Sequence, residues 1–128
     1  MRRPVAHEIA ERIAALDVLD GPGTLIASQV RKLLPAGAVK DALSGTWMGH
    51  ALHPLLTDVP IGTWTSATML DIAGGRDSER AAELLIGIGI AAAAPTAVTG
   101  WSDWADSEPA SEEVRRVGIV HAASNITA

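Results

Sequence analysis

The sequence predicts an all-α fold: a helical membrane bundle preceded by an amphipathic helical segment. Three observations carry that expectation. Leu84 to Ser102 is a run of 19 residues without a charged side chain, the length an α-helix needs to cross a hydrocarbon core of roughly 30 Å. Pro54 to Leu70 is of similar length and carries Asp58 as its one charge. Before them, apolar residues recur at helical spacing among charged ones, as on a helix with one greasy side.

Composition narrows the function classes. The chain has 128 residues, room for one domain of ordinary size, and nearly half of them are apolar. Cys is absent, so the chain by itself builds no disulfide, thiolate metal site or iron–sulfur cluster. A formal charge of -5 and the lack of a basic stripe interleaved with aromatics exclude a general nucleic-acid binder. Met1-Arg2-Arg3-Pro4 is basic, but the next residues, Val5 to Arg12, are too charged for the apolar core of a secretion signal.

In chain order, Ile9, Ile13 and Leu16 form the apolar side of a first helix, which Asp20-Gly21-Pro22-Gly23 is expected to break. Thr24 is expected to cap a second helix with Leu25, Ile26, Val30, Leu33 and Leu34 on its apolar side, ending at Pro35-Ala36-Gly37. A short helical turn follows from Val39 to Leu43. Residues 1–46 thus read as a helical cytoplasmic segment, serving plain packing or lying on a membrane surface, and residues 47–128 as the membrane bundle.

The expected spans are 54–74, 82–102 and an incomplete 114–128. Pro54 suits a first helical turn, where its missing N–H has no acceptor to lose. Pro60 lies inside the first span and frees a carbonyl near Leu56, predicting a kink or an exposed acceptor. Thr57, Thr63, Thr65, Ser66 and Thr68 make this span a poor one unless neighbours shield it. In the second span, Gly87, Ala91 and Pro95 form one row of small residues and Gly89 and Ala93 another, each open to close approach by a second helix. A soluble bundle with Leu84 to Trp101 as its buried helix is the alternative.

Charge placement orients the bundle. Arg2, Arg3, Arg12, Arg31, Lys32, Lys40, Arg115 and Arg116 fall on the N-terminal side of the spans, against Arg76 and Arg80 in the opposite loop, which predicts a cytoplasmic N-terminus in the plasma membrane. Trp47, Trp101 and Trp104 fall at that same boundary. The tract Asp106, Glu108, Glu112, Glu113 reads as a solvated cap on the third helix.

The candidate chemistry sits where the spans begin and end. His53 and His121, on two helices, are candidate axial ligands of a haem b iron, as inward-facing histidines of helical bundles are. A divalent-metal site from His50, His53 and His121, with Asp58 or Asp103 as an oxygen ligand, is a second reading. A structural anchor, in which these groups satisfy each other by hydrogen bonds, is the third. No Ser-His-Asp order, phosphate loop or acid–base pair has a persuasive spacing, so catalysis by this chain alone is not expected.

The segments Gly49-His50-Ala51-Leu52-His53-Pro54-Leu55-Leu56-Thr57-Asp58-Val59-Pro60-Ile61-Gly62, Leu70-Asp71-Ile72-Ala73-Gly74-Gly75, Thr99-Gly100-Trp101-Ser102-Asp103-Trp104 and Gly118-Ile119-Val120-His121 together resemble the bacterial membrane family known as domain of unknown function 2231 (DUF2231). The resemblance covers about residues 40–128 and implies a four-helix membrane domain, of which this chain holds all but the last helices. The preceding Val39-Lys40-Asp41 and Ser44-Gly45-Thr46-Trp47 are similar to actinobacterial versions that often continue into a Rieske-type iron–sulfur domain. That likeness implies a membrane anchor for a redox partner domain, with a lipid bilayer and a Rieske-type domain or other electron-transfer partner as expected partners; a second copy of the chain is a further expected partner.

Overall fold

The computed structural model describes residues 4–127. Among these residues there are six α-helices and no strand: α1 (Val5–Ala14), α2 (Asp20–Leu33), α3 (Ala38–Ser44), α4 (Leu52–Ala73), α5 (Glu79–Ser107) and α6 (Glu112–Thr127). Short 3-10 turns join them at Asp17–Leu19, Thr46–Met48, Arg76–Ser78 and Glu108–Ala110. The fold is all-helical, as the sequence predicts.

The chain forms two compact units, one of residues up to Lys40 together with those from Trp101 onward, the other Asp41–Gly100. In the first unit α6 packs on α1, α2 and the Glu108–Ala110 turn. Its buried apolar residues are small: Ala27, Val30 and Ala105. The expected break at Asp20-Gly21-Pro22-Gly23 does not occur, because these residues are the first turn of α2. Pro22 loses no hydrogen bond there, and Gly23 serves packing: a Cβ on it would lie 3.0 Å from Cδ of Arg115.

Charge organises this unit more than apolar packing does. Arg116, buried on α6, grips both carboxylate oxygens of Asp20 through Nε and Nη2, each at 2.7 Å, and donates from Nη1 to the Ala14 carbonyl at 2.7 Å. It thereby joins the end of α1, the start of α2 and α6 with a planar fork, which a lysine cannot do. The hydrogen bond from Arg116 holds the Asp20 carboxyl below its ordinary range, against a smaller opposing effect of burial. A depressed folded-state value means that the pair's contribution is present above the unfolded value of about 4 and is lost as pH falls through the folded value. The melting temperature of the wild type is therefore expected to exceed that of Asp20→Asn at pH 7, and the gap to close as pH is lowered below about 4. A gap that stays constant down to pH 3 would contradict this role.

Glu108 departs from the expected solvated cap. Its side chain is 1% exposed, with Arg31 on one carboxylate oxygen and Nε of Arg115 on the other at 2.8 Å. Glu112 and Glu113 are exposed, as expected.

In the second unit α4 and α5 run antiparallel. Their buried residues are again small or polar: Pro60, Ala67, Ala82, Gly89, Thr96 and Thr99. The large apolar side chains point elsewhere, with Ile61, Met69, Ile72, Ile86, Ile90 and Val98 all exposed. Among the described residues α5 with its flanking turns, Arg76–Ala110, is the one helix long and apolar enough to cross a membrane, and 17% of its apolar stretch is buried inside the protein.

Candidate functional site

The approach to α4 is set by Gly45, which takes φ +75 and lies where a Cβ would be 2.8 Å from the Leu52 nitrogen. That close approach starts the helix at Leu52, with Ala51 as its extended N-cap. His53 and Pro54 then fall in the first turn, the proline where its missing N–H has no acceptor to lose.

His53 is half-buried and lies against α5. Its Nδ1 is 2.9 Å from the Thr96 carbonyl, and because a carbonyl oxygen only accepts, Nδ1 carries the proton. In the neutral ring Nε2 therefore holds the lone pair, and it has no hydrogen-bond partner among the described residues. Gly100 makes the seat: a Cβ there would lie 2.7 Å from Cε1 and 2.9 Å from Nδ1 of His53. A second ring is seated in the same way further along, where Trp64 lies against Gly89 and donates from Nε1 to the Ile86 carbonyl at 3.4 Å. The two rings are eleven residues apart on α4 and the two glycines eleven apart on α5, close to three helical turns, so each pair shares one face. Of the two small-residue rows, the one containing Gly89 receives the partner helix, whereas Gly87, Ala91 and Pro95 are exposed.

The carbonyl freed by Pro60 is neither exposed nor wasted. Leu56 O accepts from the Thr96 hydroxyl at 3.1 Å, a proton that Thr96 shares with the Ala92 carbonyl at 2.8 Å. Thr96 thus meets α4 twice, as acceptor for the His53 ring and as donor to the proline-freed carbonyl. Thr57 and Thr99 turn their hydroxyls back onto His53 O at 2.8 Å and Thr96 O at 2.8 Å. Every polar group at this junction except Nε2 has a partner supplied by the helices themselves, as apolar surroundings demand. No spacing rule in the sequence points to Thr96; the signal that does is the need of a proline-freed carbonyl for a donor on the facing helix.

The other candidates are placed as follows. His50 is exposed, with Nδ1 2.9 Å from the Ala51 carbonyl. Asp58 is exposed on α4, and Asp103 is half-buried near the end of α5. His121 is exposed on α6, where the Asn125 side-chain amide lies 3.2 Å from Nε2. Among the described residues no group of three or more His, Asp or Glu side chains is gathered as a metal site.

No curated protein and no solved structure matches this chain. The sequence profile of a family described as "Predicted membrane protein (DUF2231)" matches residues 49–128, a stretch that holds α4, α5, α6 and the whole His53–Thr96 junction. The chain belongs to the DUF2231 family.

Proposed function

We propose that this chain is the membrane-embedded module of a redox assembly, anchoring an iron–sulfur partner domain of Rieske type, with its N-terminal side in the cytoplasm and the bundle in the plasma membrane. The observation that carries the membrane part is the exposure of α5: its apolar stretch is 17% buried, whereas the core helix of a soluble bundle buries most of such a stretch. Ile72 on α4 and Ile90 on α5, 81% and 62% exposed, are stable in that state against lipid and costly against water. The positive-inside bias supports the orientation. The identity of the partner domain rests on the likeness of the N-terminal residues to versions that continue into such a domain. Membranes from cells expressing the chain are expected to retain it through alkaline carbonate washing and to release it into detergent; recovery in the wash would contradict the proposal.

A second reading is favoured by one specific observation, the state of His53. Histidines that bind a metal ion as a rule donate their other ring N–H to a carbonyl or carboxylate, which fixes the tautomer and raises the basicity of the ligating nitrogen. His53 meets that condition, with Nδ1–H on Thr96 O and Nε2 without a partner among the described residues, so it would be able to hold a haem b iron through Nε2. His121, the other histidine of the haem reading, is exposed on α6, and its ring nitrogens are approached by its own neighbour Asn125. Bound haem would supply one-electron transfer; the chain's part is to hold the imidazole by Gly100 and Thr96. Protein purified in detergent from haem-replete cells is expected to show a Soret band that is lost in His53→Ala and kept in His50→Ala. Colourless wild-type protein would remove the haem reading and leave the anchor.

A further inference from the structure

In the unit built by α1, α2 and α6, α2 and the segment leading into α6 form an open concavity lined by Thr24, Ala27, Arg31, Glu108, Pro109 and Arg115. Two guanidinium groups face one carboxylate there, so the cluster carries an excess positive charge. Glu108, almost fully buried, takes Arg31 on one oxygen and Arg115 Nε on the other. This fixes both cations side by side without using most of their donors. Arg31 makes no other contact with a polar partner among the described residues, and Arg115 uses Nη1 for the Thr24 hydroxyl at 3.4 Å. Thr24 accepts that bond, so its own proton is left without an acceptor among the described residues.

The cluster is also held in place. The Arg115 stem lies on Gly23, with Cδ 3.0 Å and Cγ 3.1 Å from where a Cβ would be, and the side chain is 18% exposed, against 48% for Arg31. A surface ion pair alone needs neither a glycine seat nor a second arginine on a carboxylate already paired. Preorganised guanidinium N–H groups beside a free hydroxyl are the chemistry that recognises an oxyanion. We propose that this concavity binds a single phosphate-type oxyanion through Arg31, Arg115 and the Thr24 hydroxyl. Glu108 limits the site to one anionic group by cancelling one of the two positive charges. Donors from three side chains on two elements suit a tetrahedral oxyanion, whether free phosphate or the phosphodiester of a lipid headgroup.

The test uses the full chain, purified in neutral detergent or reconstituted in phosphatidylcholine nanodiscs, at constant ionic strength. Calorimetry with inorganic phosphate and native mass spectrometry of retained phosphatidylglycerol are run on wild type, Arg31→Gln and Thr24→Val. Saturable binding is expected, at least tenfold weaker in both variants, with far-UV circular dichroism unchanged. Binding of inorganic phosphate identifies a free oxyanion as sufficient; retention of phosphatidylglycerol alone identifies the headgroup. Arg31 is half exposed, so its loss is compatible with folding, and Thr24→Val keeps the shape and all the ion pairs. Absence of both ligands, or a folded variant that binds as wild type does, would overturn the proposal.

Discussion

Glu108→Ala is expected to destabilise the unit built by α1, α2 and α6 by about 3 kcal/mol, the low end of the range for breaking a buried ion pair from one side. The carboxylate is 1% exposed and bridges Arg31 to Arg115. Its removal leaves two like charges together, and the Arg115 side chain, 18% exposed, cannot fully regain water. Arg31, half exposed, can swing out, which is why the cost falls at the low end. The matched control is Glu112→Ala. That carboxylate is 68% exposed and 3.5 Å from Arg116, so its loss is expected to cost between zero and about 1 kcal/mol. Denaturation in detergent, followed by tryptophan fluorescence, measures both. Equal effects at the two positions would show that Glu108 is not the bridge described here.

Three glycines on α5 are expected to respond to alanine in opposite directions. At Gly100 an added Cβ would lie 2.7 Å from Cε1 of His53, and at Gly89 it would meet the Trp64 indole, whereas at Gly87 nothing lies within 4 Å. Gly100→Ala and Gly89→Ala are overpacking changes against stiff rings, expected to cost about 1–3 kcal/mol each. Gly87→Ala adds a methyl to an open face and is expected to be neutral or to stabilise by up to about 1 kcal/mol, the helix-propensity difference between the two residues. Gly100→Ala should also move the His53 ring away from the Thr96 carbonyl, which histidine side-chain nitrogen resonances report directly. A cost at Gly87 equal to that at Gly100 would contradict the ring-seat geometry.

The parts of the fold that the sequence made legible are those set by short-range rules. A charge-free run became α5, and Pro54 sits in the first turn of α4. His53 could be singled out because an imidazole among apolar residues needs a partner. The sequence also located the carbonyl freed by Pro60, but not its fate: the donor, Thr96, lies forty positions away, and nothing periodic links the two. The same limit hid Glu108. In a Ser-Glu-Pro-Ala turn a glutamate reads as solvated, and it is buried here because Arg31 of α2 and Arg115 of α6 close over it. Gly21-Pro22-Gly23 read as a helix breaker because the sequence does not show that the Arg115 stem needs the space of Gly23. Long-range ion pairs and glycine seats are properties of packing, and they act within each of the two units.

The most direct test of the proposed membrane embedding of α4 and α5 is alkaline extraction. Membranes from cells expressing the full chain are washed with carbonate at high pH, then solubilised with detergent, and the chain is followed by immunoblot. Retention in the pellet through the carbonate wash with release by detergent is the result expected from helices whose isoleucines face lipid. Full recovery in the wash, as a folded helical protein that stays monodisperse without detergent, would contradict it and return α5 to the core of a soluble bundle.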